Sequence, residues 1–414
     1  MFQPLTGATV SEQADRPRDG RIVSIVDFQM PAPDDPRRLA VRQWLADHPS
    51  PSTEALAHAG YVAPHWPAPW GIGADPILQV IVDEELTAAA VRRPINPIGI
   101  GWAGPTLLYA GTQAQQERYL FPILTGADYW CQLFSEPDAG SDLASLTARA
   151  VRDGDEFVVN GQKIWTSGAQ FSRYGILLAR TDPDAPKHQG ISYFVCPMDV
   201  PGIEIRPITE MTGGHTFNEV FLTDVRIPAE NLVGELNDGW RLAKVTLGNE
   251  RVSLTSGGVL WGGGPTTPEV IEAIRRRGPV TDRHARQRIA RLYTEYMLLE
   301  LIRMRTLTAR LRGEQPGPEA SIRKILADEH GQLAMDVARE MIGSAALLTS
   351  GDGSEAFVPS TDMMGLGPGK PPLDLSHPAW YDGYLFSQAL TIGGGTGDVQ
   401  RNIVAERVLG LPPG

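Results

Sequence analysis

Apolar positions recur at spacings of three and four in two separate parts of the chain, and in near alternation in the part between them. RRLAVRQWLADH and PILQVIVDEELTAAAVRR, within residues 36 to 125, place apolar side chains one helical turn apart and predict short helices. GYVAPHWPAPWGIGADP separates them and holds too much Pro and Gly for a regular element. The texture changes at about residue 128. FVVNGQKIWTS has two β-rich arms around Asn160-Gly161, which predicts a hairpin turn there. Strand alternation would then put Trp165 and Ser167 on one side. YGILLART, ISYFVCPM, GIEIRPI and NEVFLTDVRI read as further strands. After GELNDG the helical period returns in WRLAKVTLGNERVSLTSGGVL, RQRIARLYTEYMLLELIRMRTLTARL and ASIRKILADEHGQLAMDVAREMIGSAALL. A last helix over about 396–409 stops at GLPPG. The expected organisation is α+β and multi-domain. A loose tail (1–20) leads into an N-terminal helical domain (21–127) and then an antiparallel β-domain (128–235). A C-terminal helical domain (236–414) follows, broken by a Gly/Pro-rich loop over 351–378.

Composition narrows the classes. A net charge of −12 over 414 residues, with no Lys/Arg-rich run, argues against nonspecific nucleic-acid binding. Two cysteines, Cys131 and Cys196, make neither a disulfide framework nor a thiolate metal cluster. The eight histidines show no ligand spacing, so no metal site is expected. No apolar run approaches the ~18 residues of a membrane span. The N-terminal stretch lacks the basic and apolar regions of a signal peptide, and a cytoplasmic protein is expected.

Four features hold candidate chemistry, each with a plain alternative. SEPDAGSD (135–142) is either an ordinary connection or a loop whose N–H groups and hydroxyls, with Ser135 and Ser141 six residues apart, bind the polar edge of a flat ring. Trp165 beyond it is a core residue or an aromatic wall. GGGT (393–396) is a tight turn or a phosphate cradle. Glu250-Arg251, inside a strong helix pattern, is a solvated pair or contains a catalytic base.

Four blocks in order resemble the acyl-CoA dehydrogenase family: FSEPDAGSDLASLTARA, DEFVVNGQKIWTSGAQFSRYGILLART, GHTFNEVFLTDVRIPAENLVGELNDGW and GGTGDVQRNIVAERVLGLP. The resemblance covers about residues 36 to 412. It implies an N-terminal helical domain, a middle β-barrel-like domain and a C-terminal four-helix bundle, with FAD between the last two. By resemblance, Ser135 and the backbone near Phe134 bond the pyrimidine end of the flavin, Trp165 covers the ring and Ser167 reaches N5. Thr396 and Asp398 contact the flavin nucleotide, and Ser141 and Arg251 contact the CoA substrate. The implied reaction is α,β-desaturation of an acyl-CoA thioester, with electrons passed to an electron-transfer flavoprotein.

Many relatives carry the catalytic carboxylate where this chain has Gly394; others place it on an earlier helix just before an arginine. Here that residue is Glu250, while the Gly394 N–H is still able to polarise the thioester carbonyl. The small residues at 393–394 and in PINPIGIGWAGP (94–105) predict a wide pocket for a branched or polycyclic acyl group, such as a sterol-derived one. Segments that usually complete a neighbouring subunit's cofactor site are altered. RRRGPVTDRHARQ keeps Arg276 and Gln287 but lacks the Phe-Gly pair, and EMIGS (340–344) replaces Gln-x-x-Gly-Gly. A homo- or hetero-oligomer, dimer or tetramer, is implied. A noncatalytic or half-active subunit of a heterotetramer, and a flavin oxidase or monooxygenase on the same fold, are the alternative readings.

Overall fold

The computed structural model describes residues 31–254, 258–311, 317–318, 320–343 and 369–412, the side chains of 251–254 and 310–311 excepted. The expected tail over 1–20, residues 351–368 of the Gly/Pro-rich loop and Ser344 of EMIGS lie outside that range, as does the Arg251 side chain.

Helices α1 (Pro36–Asp47), α2 (Thr53–His58), α3 (Pro76–Ala88), α4 (Gly104–Ala110) and α5 (Gln113–Thr125) come first. Asp35 and Asp75 accept bonds from the backbone N–H groups of Arg37 and Leu78, and a proline opens each of those helices, so α1 and α3 start where the sequence supplies a cap. Strands β1 (Trp130–Leu133), β2 (Arg149–Asp153), β3 (Glu156–Lys163), β4 (Tyr174–Arg180), β5 (Ile191–Pro197), β6 (Ile203–Pro207), β7 (Asn218–Pro228) and β8 (Leu232–Val233) form one sheet in the order β6-β7-β3-β2-β4-β5-β8, with β1 beside β4. It departs from the expected antiparallel pattern where β1 and β2 run parallel to β4, because a long loop rather than a hairpin joins β1 to β2. Helices α6 (Gly239–Leu254), α7 (Thr267–Arg277), α8 (Arg283–Leu311), α9 (Ala320–Ile342), α10 (Ala379–Ser387) and α11 (Gly397–Ile403) complete the chain. The altered segment RRRGPVTDRHARQ begins in the last turn of α7, a helix started by a Thr266–Glu269 capping box, and runs on into α8.

The apolar runs of β4 and β5 are continuous because both faces are covered. Leu177, Ala179, Phe194 and Cys196 enter a core on one side of the sheet, with Phe157, Val220 and Ile227. Ile176, Leu178, Tyr193 and Val195 enter the other, shared with the helices before and after the sheet. Both cysteines are free and buried, and burial pushes the Cys131 thiol up to about 12.

The hairpin expected at Asn160-Gly161 is elsewhere. The turn is Gly154-Asp155, closed by the Asp153–Glu156 pair and opened by Gly154 at φ 63°. Asn160-Gly161 continues β3 opposite a bulge in β7, where Asp224 sits at φ 50°. The Asn160 amide donates to the Asp224 carboxylate (3.0 Å) and accepts from its N–H (2.9 Å). A Cβ on Gly161 would lie 2.5 Å from that of Ala148, so glycine is required by a close approach rather than by a turn.

One buried ion pair ties the loop after β1 to the end of β3. Lys163 Nζ donates to Glu136 Oε1 (2.7 Å) and to the Phe134 carbonyl (3.1 Å). Glu136 also accepts from the N–H groups of Thr147 (2.7 Å) and Ala148 (3.0 Å). Burial by itself would raise the Glu136 carboxyl, but the Lys163 charge and these bonds hold it below its ordinary value. Its stabilisation is therefore present above the ordinary carboxylate range and is lost as the pH falls through the lowered value. Lys163→Met leaves the carboxylate buried without its cation and should cost about 3–5 kcal/mol. The lowered urea midpoint should be partly restored in Lys163→Met/Glu136→Gln.

Candidate active site

Glu250 is buried on the face of α6 that also carries Leu242, Ala243 and Thr246, at spacings that turn all four inward. Gln132 of β1 reaches it from the sheet, its amide Nε2 donating to Glu250 Oε2 at 3.3 Å. Of the two readings of this glutamate, the solvated one is excluded. Two residues beyond Gln132 begins the polar loop. Phe134 is buried edge-on against Tyr193 (5.9 Å between ring centroids), Ser135 is half-buried, and Ser141 is exposed in the turn that follows Gly140.

The Ser135 carbonyl accepts from the Ile164 N–H at 2.9 Å, so the loop is fastened to the segment bearing Trp165. That segment is not a strand. β3 ends at Lys163, Trp165 takes φ 60°, and strand alternation does not govern Trp165 and Ser167. Its backbone is instead clamped by Asn218: Thr166 and Asn218 exchange N–H···O bonds (3.0 and 3.1 Å), and the Asn218 amide adds a third (3.0 Å). The indole of Trp165 is left 58% exposed, Ser167 is half-buried, and the buried Thr166 hydroxyl makes no hydrogen bond. A large aromatic held rigidly in solvent beside an unsatisfied hydroxyl offers a face and a polar edge to a flat ring.

The turn 391–396 is fixed from two sides. Lys324 of α9, fully buried, donates to the carbonyls of Leu390 (3.2 Å) and Gly393 (3.1 Å) and to the Asp328 carboxylate. The Gln400 amide donates to the carbonyls of Gly394 (3.3 Å) and Gly395 (3.4 Å). Gly394 adopts φ 67°, and its N–H finds no acceptor among the described residues. Burial pushes the Asp328 carboxyl up to about 7, against the pull of Lys324. Thr396 caps α11 by accepting from the Val399 N–H, and Asp398 is exposed beside Arg401. Arg276, paired with Glu272, and Gln287 lie on exposed faces of α7 and α8.

At two of the small positions the open space read from them is filled. The indole of Trp261, itself edge-on to Phe386, occupies the place of a side chain at Gly393, 2.5 Å from a Cβ built there. The Trp66 ring does the same at Gly104, at 2.2 Å. These glycines admit tryptophans rather than substrate.

Gln132, Trp261, Lys324, Asp328 and Gln400 were not singled out from the sequence. A signal existed for two of them. Ser321, Lys324, Asp328, Gly331, Met335, Ala338 and Ile342 alternate by three and four, all buried, so a lysine and an aspartate stand in the apolar stripe of α9. A cleft of about 450 Å³ lined by His188, Trp240, Lys244, Leu247, Ile403 and Arg407 opens on the same helix as Glu250. Among the described residues no three His, Cys, Asp or Glu side chains are grouped to hold a metal ion, and no helix is long and apolar enough to cross a membrane.

Three family models match in order: the acyl-CoA dehydrogenase N-terminal domain over residues 37–127, its middle domain over 131–225 and its C-terminal domain over 237–409. Acyl-CoA dehydrogenase FadE34 of Mycobacterium tuberculosis is 43% identical over 359 residues, which is 86% of this chain and 46% of that relative's length. Acyl-CoA dehydrogenase IpdE1 of the same organism is 37% identical over 403 residues, 91% of this chain and 97% of the relative. Among solved structures, the Tcur3481-Tcur3483 steroid ACAD superposes with a TM-score of 0.72 at 29% identity, covering 91% of this chain and 97% of that one. The chain belongs to the acyl-CoA dehydrogenase family of oxidoreductases.

Gly393→Ala forces a methyl group into the Trp261 ring and should cost about 1–3 kcal/mol. Thermal unfolding of Gly393→Ala, Trp261→Leu and the double variant tests this. The cost of the glycine change should shrink once the indole is gone.

Proposed function

We propose that the protein catalyses FAD-dependent α,β-dehydrogenation of an acyl-CoA thioester, with Glu250 as the base. The observation that carries this is the placement of the Glu250 carboxylate. It is buried on α6 and held by Gln132, while the turn at Gly394 presents no side-chain carboxylate but an N–H with no acceptor among the described residues. A thioester carbonyl bonded to the Gly394 N–H becomes more electron-poor, and the bond strengthens as enolate charge grows on its oxygen. Glu250 takes the α-proton, the electrons of that C–H bond form the α,β double bond, and the β-hydrogen leaves with its electron pair. FAD supplies the two-electron acceptor for that hydride.

The residues present fit this cofactor. Ser135 and the backbone near Phe134 offer polar contacts to the ring edge, the exposed Trp165 a cover, and Ser167 with the unsatisfied Thr166 hydroxyl further hydrogen bonds. Thr396 and Asp398 stand at the start of α11 for the nucleotide part. Lys244 and Arg407 give the cleft along α6 a cationic wall suited to the anionic end of CoA, and the family resemblance adds Ser141 and Arg251 as CoA contacts. Reduced enzyme would pass its electrons to an electron-transfer flavoprotein.

The acyl group we favour is steroid-derived. The likeness to the Tcur3481-Tcur3483 steroid ACAD supports this, whereas the indole-filled positions at Gly393 and Gly104 do not. That paired designation, the altered segment around Arg276 and Gln287, and exposed Tyr293, Leu298 and Leu301 on α8 also favour an oligomer, with a two-component assembly as the second reading.

Anaerobic mixing with a panel of acyl-CoAs, followed by the flavin spectrum, tests the reading. Glu250→Gln should keep its yellow colour and lose about 10²- to 10⁴-fold in the rate of bleaching. A steroid-derived acyl-CoA should exceed a linear one by at least about tenfold in kcat/KM. Equal bleaching by variant and wild type would remove Glu250 from its role. Equal turnover of the two substrates would remove the steroid reading, and colourless protein purified alone would favour the two-component assembly.

A further inference from the structure

We propose that Lys324 is a positioning residue that acts on the substrate through one peptide group, that of Gly393 and Gly394; the proposal rests on the Gly394 N–H being the donor to the thioester. Lys324 Nζ is fully buried, and its three protons match three acceptors: the Asp328 carboxylate and the carbonyls of Leu390 (3.2 Å) and Gly393 (3.1 Å). Packing alone does not call for a charge there, since well-packed apolar side chains generally replace a buried ion pair without loss of stability. What the ammonium contributes is a charged donor aimed at a particular carbonyl.

The Gly393 oxygen and the Gly394 hydrogen belong to the same planar trans peptide and point in opposite directions. Tethering the oxygen to Nζ therefore sets the direction of the N–H. It also draws electron density from the peptide toward its oxygen, which makes the N–H a stronger donor. The far side of the turn is held as well, because Gln400 takes the Gly394 and Gly395 carbonyls. The carbonyls of 393 to 395 are thus occupied, while the N–H of Gly394 has no acceptor among the described residues. Its benefit grows as negative charge develops on the thioester oxygen, so the lysine acts on the reaction barrier more than on ground-state binding. Asp328 offsets part of the lysine's charge and sets how strongly the peptide feels it.

The test uses an acyl-CoA analogue with sulfur in place of the β-carbon. Such a compound is unable to release hydride, yet its α-proton can be removed, and the enolate stacked on the flavin absorbs at long wavelength. Holoenzyme is titrated with the analogue for wild type, Lys324→Met, Lys324→Arg, Asp328→Asn and Glu250→Gln. Lys324→Met should ionise the bound analogue about tenfold less, with kcat lowered about tenfold and KM within about twofold, a fraction of the loss on deleting an oxyanion donor outright. Lys324→Arg should recover part of the signal. Asp328→Asn, which keeps the ammonium and removes its counter-charge, should ionise the analogue at least as well as wild type. Wild-type ionisation in Lys324→Met would overturn the proposal. So would a loss in Asp328→Asn equal to that in Lys324→Met, since disturbed packing would then explain both. If Lys324→Met fails to fold, the Arg and Asn variants decide alone, and ionisation lost in both overturns it. Failure of the underlying reading looks different: Glu250→Gln would ionise the analogue as well as wild type.

Discussion

Three hydroxyl groups meeting out of water hold the arrangement on which the site depends. Thr106 of α4, Tyr193 of β5 and Thr246 of α6 converge, with Thr246 Oγ1 at 2.8 Å from the Thr106 hydroxyl and 3.1 Å from that of Tyr193. Each hydroxyl has one proton and two lone pairs, so the node is satisfied only when all three elements sit at one mutual position. Three protons serve four contacts, so the Trp102 carbonyl beside Thr106 (2.9 Å) and the Leu242 carbonyl beside Thr246 (3.2 Å) are alternative acceptors, and only one of the two threonines donates to its helix carbonyl while the other bridges the pair. Apolar packing around it tolerates sliding, whereas a buried unpaired hydroxyl does not. Glu250 lies one helical turn beyond Thr246, and the node therefore sets where the carboxylate stands relative to the sheet and the N-terminal helices.

The site loops are fastened by a second device, used twice. A fully buried lysine, paired with a carboxylate, donates to the backbone carbonyl of a loop. Lys163 with Glu136 holds Phe134, and Lys324 with Asp328 holds Leu390 and Gly393. Loops rich in glycine and small polar residues have little apolar surface with which to fix themselves, and an ammonium with three donors compensates for that. Rigidity at both loops matters because a donor to developing charge is effective only if it is already oriented.

Helix, strand and helix blocks were legible because each has its own period. So were the loop after β1 and Glu250 on a helix, since local patterns and the order of motifs carry that information, whereas the Trp165 segment was expected as a strand and is not one. The hairpin at Asn160-Gly161 was not, because the dipeptide that favours a turn also suits a strand crossing a bulge and a close neighbour. At Gly393 and Gly104 the open space read from the sequence is filled for a related reason. A glycine states that no side chain is present, but not whether a tryptophan from 132 residues earlier in the chain, as Trp261 is to Gly393, fills the gap.

The chain's periodicity and motif order by themselves determined the three-part architecture and the family, and singled out Glu250 as the proposed base. Those properties follow from neighbours along the sequence and from residue chemistry. Only the tertiary structure decided that Gln132 meets Glu250, that Lys324 grips Gly393, and that Gly393 faces indole rather than open space. Each of these joins groups from 69 to 132 positions apart, and their partners were selected by burial and by the need to satisfy polar atoms once water was excluded.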